Sequence, residues 1–345
     1  MKIEEDIKLD YNDVLIRPKR TVLSSRSEVN LERTIRFPIS GQTWTGVPII
    51  AANMDTIGTY NIYKILSKYK IITAFHKFYN LEAYQLMYND KYGLDPNYFM
   101  VSTGISDKDF NKLKSILDNI DVKFICIDVA NGYMEKLVDF CKKVREHFPD
   151  KIIIAGNVVT REITEELILQ GKVDIVKVGI GPGSACLTRS QTGVGMPQLS
   201  AIAECADAAH GVNGFIIGDG GITCPGDVSK GLGAGGDFIM IGGQFAGHDE
   251  NPGELVEKDG EKYKLFYGMS SETAMNKHFG KMDNYRSSEG RSIKIKYKGP
   301  LEKTVENFLG GIRSTCTYMN AAEIKNIPKC CTFVRVNRQL NTIYS

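Results

Sequence analysis

The chain has 345 residues, 42% of them hydrophobic, so it can bury the core of one large α/β barrel or of two ordinary domains. Its formal net charge of +2 gives no reason to expect nucleic acid or an anionic membrane as a partner. The amino-terminal stretch MKIEEDIKLD has no apolar signal region, and no apolar run approaches the ~18 residues of a membrane span. We therefore expect a cytosolic protein.

The eight cysteines are scattered along the chain. Cys126 lies in an apolar run, Cys330 and Cys331 are adjacent, and no CxxC pair occurs. This spacing favours neither a disulfide framework nor a structural zinc site. Reduced thiols, as in the cytosol, are the simplest interpretation.

Short apolar runs recur along the chain, and each ends in a small or polar residue. They are rich in β-branched and aromatic residues, as buried parallel strands are. The eight runs are 47–53, 70–77, 97–104, 123–132, 151–157, 173–181, 214–221 and 237–244.

Helical patterns separate these runs. The stretch 160–172 begins with Thr160 as a candidate N-cap, and 131–148 has apolar residues at helical spacing. The alternation predicts a single-domain α/β fold over 1–345, a (β/α)8 TIM barrel, with a doubly wound open sheet as the alternative. After the eighth run, residues 245–313 are rich in Gly, Lys, Glu and Ser, which predicts a long mobile loop.

Glycine pairs follow the seventh and eighth runs, in GDGGI (218–222) and IGGQFAG (241–247). Barrels often bind phosphate between the loops after strands seven and eight. Asp219 would lie beside that phosphate and could bind both hydroxyls of a ribose. The pattern indicates a nucleoside monophosphate or a phosphorylated cofactor such as FMN, with plain turn glycines as the alternative. The sequence GLGAGG (231–236) also fits GxGxxG, but it feeds the eighth strand and is expected to be a turn.

The loop GIGPGSACLTR (179–189) follows the sixth run and presents Cys186 among glycines. Neighbouring Thr188 and Arg189 could lower the thiol pKa, which favours a covalent nucleophile over a buried structural cysteine. The glycine carbonyls could also bind a monovalent cation. Asp128, at the end of the fourth run, could orient a cofactor amide or cap a helix.

Several long motifs carry a resemblance to a known family. The stretches GIGPGSACLTRSQTGVGMPQLSA, FIIGDGGITCPGD, FIMIGGQFAG and YGMSSETAM resemble the IMP dehydrogenase/GMP reductase family, from about Leu9 to the C-terminus. IIAANMDT, AFHKF, ICIDVANGY, YRSSEG and GGIRSTCTY are more similar to its reductases than to its dehydrogenases. The chain also has no room for the regulatory domains that the dehydrogenases usually carry after strand two. The resemblance implies NADPH-dependent deamination of GMP to IMP and ammonia, in a homotetramer.

The resemblance also assigns roles to individual residues. Cys186 would attack C2 of guanine, while Thr188 and Glu289 would deliver a proton to the departing nitrogen. The other GMP-binding residues implied are Ser184, Asp219, Gly220, Gly221, Gly242, Gly243, Gly268, Met269, Ser270, Arg286, Ser287, Ser288, Glu289 and Gly290. The cofactor residues implied are Lys77, Asp128, Val129, Ala130, Ile180, Gly181, Met269, Tyr285 and Arg286, with Ser25, Arg26, Ser314, Thr315, Cys316 and Thr317 meeting the cofactor of a neighbouring subunit. The potassium loop implied comprises Gly181, Gly183, Cys186 and Arg189.

Three other interpretations stay open on the sequence. The first is an IMP dehydrogenase without regulatory domains, which would need a water-activating flap arginine. The second is an FMN-dependent barrel oxidoreductase, which would not need Cys186. The third is a catalytically silent nucleotide-binding barrel, which the presence of Cys186, Thr188 and Glu289 disfavours.

Overall fold

In a computed structural model, which describes residues 3–269, 271–279 and 288–337, eight parallel strands close into a barrel. In chain order the strands are β1 (Val14–Ile16), β2 (Arg33–Arg36), β3 (Thr43–Gly46), β4 (Ile49–Ala51), β5 (Ile72–Phe75), β6 (Phe99–Thr103), β7 (Phe124–Asp128), β8 (Ile152–Val158), β9 (Ile175–Val178), β10 (Phe215–Asp219), β11 (Phe238–Ile241), β12 (Val256–Lys258), β13 (Glu261–Tyr267), β14 (Ser292–Lys296) and β15 (Phe333–Arg335). The barrel consists of β4 to β11, and β11 pairs with β4 to close it. Each barrel strand coincides with one of the eight predicted runs, with only β8 extending one residue beyond its run, so the predicted (β/α)8 barrel is confirmed and the open sheet is wrong.

The helices pack on the outside of the barrel, except for two short ones in the loops after β9 and β13. They are α1 (Tyr60–Leu66), α2 (Leu81–Asn89), α3 (Asp107–Leu117), α4 (Glu135–His147), α5 (Arg161–Leu169), α6 (Thr188–Thr192), α7 (Gln198–Gly211), α8 (Pro225–Gly233), α9 (Glu272–Phe279), α10 (Leu301–Met319) and α11 (Ile327–Cys330). The two helical patterns predicted from spacing correspond to α4 and α5. Thr160 is at the N-cap position of α5, but its side chain makes no capping hydrogen bond. GLGAGG ends α8 and leads into β11, as predicted.

The barrel interior is filled by alternate residues of its strands. On β9, Ile175 points into the barrel and Val176 points towards the helices, because successive side chains of a strand face opposite sides. The antiparallel pair β2–β3 adds Trp44, the single tryptophan, to this interior cluster. The Trp44 ring lies 5.1 Å from Phe238 and its Nε1 donates to the Asn97 carbonyl. Trp44 and the β2–β3 pair thus close the end of the barrel at which the strands begin. The opposite end, where the strands finish, is open and is called the mouth below.

The segment predicted as a mobile loop over 245–313 contains regular structure. Strands β12, β13 and β14 form an antiparallel sheet, α9 follows β13, and α10 begins at Leu301. The prediction of a loop up to 313 is therefore wrong at its end, because the last residues of that range belong to a long barrel helix with an apolar face. No helix in the described ranges has the length and apolar character needed to cross a membrane. All eight cysteines are free.

Candidate functional site

The barrel mouth carries three charged side chains that the strand register places in one layer. Cys126, Ile175 and Ile217 point into the barrel, so the residues two positions later point inwards as well. Those residues are Asp128 and Lys177, and Asp219 occupies the corresponding position on β10. The layer therefore follows from the period of two along each strand.

Lys177 joins the two carboxylates of this layer. Its Nζ lies 2.7 Å from Asp128 Oδ1 and 2.7 Å from Asp219 Oδ2. Asn157 Nδ2 also donates to Asp219 Oδ2, at 2.9 Å. Burial opposes the charge on Lys177, but the two carboxylates outweigh it and raise the pKa of the ammonium. Burial likewise opposes ionisation of Asp128, but Lys177 and then Lys77 lower the pKa of that carboxyl.

A second trio is formed by loop residues above the mouth. The thiol of Cys186 lies 3.2 Å from Thr188 Oγ1, and Thr188 Oγ1 donates to Glu289 Oε2 at 2.6 Å. Cys186 and Thr188 are partly exposed. A thiol, a hydroxyl and a carboxylate thus form a continuous hydrogen-bonded path along which a proton can move.

Main-chain contacts hold Glu289 against the cysteine loop. The amide of Leu187 donates to the Glu289 carbonyl at 2.6 Å, and the amide of Arg291 donates to the Ala185 carbonyl at 3.0 Å. Cys186 and Gly290 form an isolated antiparallel bridge. Gly268 packs into the same junction, where an added Cβ would lie 2.9 Å from the Ala185 carbonyl oxygen. The carboxylate is therefore positioned by backbone pairing rather than by chance proximity of two loops.

Small residues from three loops converge beside Asp219. A Cβ on Gly220 would lie 3.0 Å from Pro182, and one on Gly243 would lie 3.1 Å from Ser184 Oγ. Gly220 and Gly221 adopt φ values of 92° and 81°, the left-handed region that favours glycine. The glycines after β10 and β11 and Ser184 of the cysteine loop thus line one cradle, with main-chain amides at the position where barrels bind phosphate.

The segment after β13 is anchored to the barrel by Asp55, which follows β4. This carboxylate is 3% exposed and accepts hydrogen bonds from Tyr267 Oη, Lys277 Nζ and His278 Nε2 at 2.8, 3.0 and 2.7 Å. Burial raises the pKa of Asp55, but these three donors outweigh it and lower the pKa. The amide of Asp55 also contacts Met269 Sδ at 3.4 Å. Met269 therefore lies beside Asp55 at the end of β4, and its role in ligand binding stays a prediction.

The residues predicted to meet a neighbouring subunit's cofactor form one patch. The turn Arg26–Glu28 packs on α10, which carries residues 314–317. Barrel helices run back antiparallel to the strands, so the last turns of α10 lie away from the mouth. Ser25 and Arg26 are exposed, but Cys316 is 0% exposed within the chain, and its burial raises the pKa of the thiol to about 12. The Cys316 side chain thus faces the core of its own chain, and the cofactor contact expected of residues 314–317 stays a prediction.

The remaining predicted residues divide into three groups. Ser288, Glu289 and Gly290 approach the cysteine loop, and Lys77, Val129, Ala130, Ile180 and Gly242 lie in loops or strand ends at the mouth. Ser270, Tyr285, Arg286 and Ser287 lie outside the described residues. Asp128 does not cap α4, which begins after Met134, so that alternative is wrong.

The sequence assigned no role to Lys177, Asn157 or Arg291, although Asn157 stands at the end of the fifth run. Lys177 had a signal, since it is the one basic residue inside the apolar run VDIVKVGIG. The Arg291 Nε donates to the Ser184 carbonyl at 2.9 Å. This contact joins residues far apart in the chain, so no local sequence pattern predicts it.

The candidate potassium loop presents backbone carbonyls and is compatible with a monovalent cation. The Gly183 carbonyl accepts from the Cys186 amide, and the Arg189 carbonyl accepts from the Gly193 amide. A carbonyl has two lone pairs, so each keeps one for a cation. The Arg189 side chain packs beside Gly181 and its Nη2 donates to the Met196 carbonyl at 2.5 Å. Arg189 thus braces the loop through its side chain.

Comparisons with known proteins agree with this geometry. Residues 8–340 match the family model described as IMP dehydrogenase / GMP reductase domain. Curated proteins named GMP reductase are similar over the whole chain. Those of Escherichia coli O157:H7 and of Escherichia coli O81 (strain ED1a) are 57% and 56% identical over 346 aligned residues, covering 100% of this chain and 99% of each relative. The protein of Escherichia coli strain K12 / DH10B is 56% identical with the same coverage.

Proposed function

The chain belongs to the IMP dehydrogenase / GMP reductase family, and from that premise we propose that it converts GMP to IMP and ammonia with a nicotinamide cofactor as reductant. The observation that carries the proposal is the hydrogen-bonded path from Cys186 through Thr188 to Glu289. It places a nucleophile and a proton donor together above a cradle suited to a nucleoside monophosphate.

In the proposed reaction, the Cys186 thiolate forms a bond to C2 of guanine and C2 becomes tetrahedral. The C2 amino group is a poor leaving group until it gains a proton, which Thr188 and Glu289 deliver. The C–N bond then breaks, ammonia departs, and a thioimidate linked to Cys186 remains. General acid catalysis of this kind contributes roughly 10²- to 10⁴-fold.

A nicotinamide cofactor, when bound, supplies the hydride that C2 gains in the second half of the reaction. The bond from C2 to sulfur then breaks, which releases IMP and restores the thiolate. We assign Asp128 and Lys77 to the cofactor side and NADPH as the reduced form. The partly exposed carboxylate of Asp128 fits an amide donor, because Lys177 keeps it ionised as an acceptor.

The substrate is held by groups on the other side of the mouth. We assign the cradle of Ser184, Gly220 and Gly243 to the 5′-phosphate and Asp219 to the ribose hydroxyls. Asp219 Oδ2 is occupied by Lys177 and Asn157, so its other oxygen is the one oriented for a ligand. On the family resemblance we assign Arg26 and the 314–317 patch to the cofactor of a second copy, because they lie away from this chain's own mouth, and we propose a homotetramer. The carbonyls of the cysteine loop would hold K⁺.

The test is to follow reduced nicotinamide absorbance with GMP in potassium buffer and to identify the products. We expect GMP-dependent loss of NADPH with IMP and ammonia formed in equal amounts. Oxidation of IMP with NAD⁺ as the only detectable reaction would instead support an IMP dehydrogenase. Binding of GMP with no turnover in either direction would overturn the enzymatic proposal. Replacing K⁺ by Na⁺ or Li⁺ in the same assay tests the cation, and a homotetramer is tested by the mass in solution.

A further inference from the structure

Lys177 is a buried charge in a barrel interior that is otherwise apolar or small. Its side chain is 3% exposed, and the inward-facing residues around it are Ile175 on the same strand, Ile217 on β10 and Cys126 on β7. A buried ammonium is costly unless it is paired, and pairs of this kind rarely gain stability over an apolar residue of similar size. A reason other than stability is therefore needed for a lysine at this position.

The contacts of Lys177 point to that reason. The ammonium touches one oxygen of Asp219 and one oxygen of Asp128, each at 2.7 Å. Both carboxylates remain partly open to the mouth, with side chains 19% and 28% exposed. One cation thus orients two acceptors from beneath, and each acceptor turns its other oxygen towards a ligand.

The surrounding backbone fixes where the ammonium goes. Gly156 is paired with Lys177, and a Cβ at Gly156 would lie 2.4 Å from the Lys177 carbonyl oxygen and 2.8 Å from its Cβ. Asn157 occupies the side of Asp219 next to β8, where it also donates to the Gly179 carbonyl at 2.8 Å. The lysine therefore extends towards the mouth between β7 and β10, and its ammonium is shared by their two carboxylates.

We propose that Lys177 is a positioning residue that couples the substrate site to the cofactor site through Asp219 and Asp128. This inference rests on the roles proposed above for those two carboxylates. Without the ammonium, two carboxylates face each other across the mouth, repel each other and turn apart. Both ligands then lose their oriented acceptor at once, although Lys177 touches neither.

The experiment measures binding by calorimetry, so it does not depend on turnover. GMP is titrated alone, and NADP⁺ is titrated in the presence of IMP. Lys177→Met removes the charge and keeps the length of the side chain, and we expect it to weaken both ligands by about tenfold or more. Lys177→Arg keeps the charge and is expected to recover most of both affinities. Ile217→Val, a small deletion at the position paired with Lys177, is the control for general loosening of the layer and should leave both affinities within about twofold.

Double-mutant cycles then separate positioning from a structural role. Asp219→Asn should cost less GMP affinity in the Lys177→Met background than alone, and Asp128→Asn should do the same for NADP⁺. Additive losses, or wild-type affinities in folded Lys177→Met, overturn the proposal. Should Lys177→Met not fold, the Asp219→Asn variant tests the proposal by itself, because it removes the charge of one of the two carboxylates that Lys177 contacts. The proposal requires at least a threefold change in NADP⁺ affinity, and an unchanged affinity overturns it. Absence of GMP-dependent NADPH oxidation by the wild type would contradict the proposed function instead, and leaves these binding cycles interpretable.

Discussion

The two trios at the mouth are built in opposite ways. Asp128, Lys177 and Asp219 sit on three strands of one closed barrel, so the strand register sets their spacing before any ligand arrives. Cys186, Thr188 and Glu289 come from two loops, with Thr188 and Glu289 separated by 101 positions in the chain. The strand trio is buried from below, whereas the loop trio depends on docking of one segment on another.

This difference indicates a division of labour. Groups that only bind and orient can be held in fixed positions, and the strands of the closed barrel hold the strand trio in this way. Groups that form and break bonds to the substrate must admit it and then close on it, and lid-like loops serve that purpose in many enzymes. This division of labour predicts that changes in the loop trio lower the rate and that changes in the strand trio lower the affinity for ligands.

The largest effect is expected from Cys186→Ala. The substitution removes the atom that bonds to C2, so GMP-dependent NADPH oxidation should fall by at least about 10³-fold. GMP affinity should stay within a fewfold of wild type, because the phosphate and ribose contacts belong to other residues. Cys330→Ala is the matched control and should keep full activity, because this cysteine lies in α11, beside the end of α8 that is remote from the mouth. Substantial turnover by Cys186→Ala would contradict the covalent route.

Glu289→Gln should follow, with turnover reduced roughly 10²- to 10⁴-fold, since an amide cannot hold the proton that the departing amine needs. Thr188→Val breaks the same path and Thr188→Ser keeps its hydroxyl, so the first should resemble Glu289→Gln and the second the wild type. Rapid quench of a single turnover would locate the loss before release of ammonia. Equal activity in the valine and serine variants would remove Thr188 from the proton path.

The same contrast explains what could be predicted from the sequence. Buried parallel strands are recognised in a sequence as short apolar runs. The barrel and the strand-end positions of Asp128 and Asp219 could therefore be predicted from the hydrophobic pattern alone. Lys177 carried a signal too, because it is a charged residue inside an apolar run. Its inward orientation and its partners, however, are known only once the strand register is known. Glu289 carried none, because a carboxylate in a polar loop looks like surface, and only the family resemblance singled it out.

Long-range backbone pairing is the part that pattern could not supply. The sheet β12–β14 was expected to be loop, since β12 is exposed and charged and β14 alternates exposed with half-buried residues. Its pairing is specified by contacts far apart in the chain. Cys316 illustrates a related limit: the resemblance marks a position, and only the packing of α10 shows that this thiol points into the core.

Gly268→Ala tests the docking on which the loop trio depends. Its methyl group would lie 2.9 Å from the Ala185 carbonyl oxygen and 3.1 Å from the Gly290 Cα, so the two segments must separate. A misplacement of this size at an active site costs up to about 100-fold in rate, and we expect a loss of about 10- to 100-fold. Gly211→Ala is the control, at the exposed end of α7, because its methyl would meet no atom within 4 Å, and it should cost less than about threefold. Similar losses in both variants would mean that the rate responds to any added methyl group and not to separation of these two segments.

The smallest effect concerns His76, which follows β5 beside the anchor of the loop segment. Burial lowers the pKa of His76 to about 4, and nearby His278 and Lys277 add to this while Asp55 opposes it. In the unfolded chain this histidine has an ordinary pKa near 6.5. As the pH falls, the unfolded chain therefore binds the proton at a higher pH than the folded protein does. Stability should therefore be complete above about pH 6.5 and decline towards pH 4, by as much as ~3 kcal/mol from this group.

The measurement is Tm against pH for the wild type and for His76→Gln, which cannot take up a proton in this range. The wild-type Tm should fall between pH 6.5 and pH 4 more steeply than that of the variant. Because Lys277 and His278 belong to the segment that carries Glu289 further along the chain, a charge on His76 also repels that segment. Activity of the wild type should then decline over the same interval before global unfolding. Parallel Tm curves would show that protonation of His76 does not destabilise the fold. The contact between His76 and the segment that carries Lys277 and His278 would then not link stability to pH.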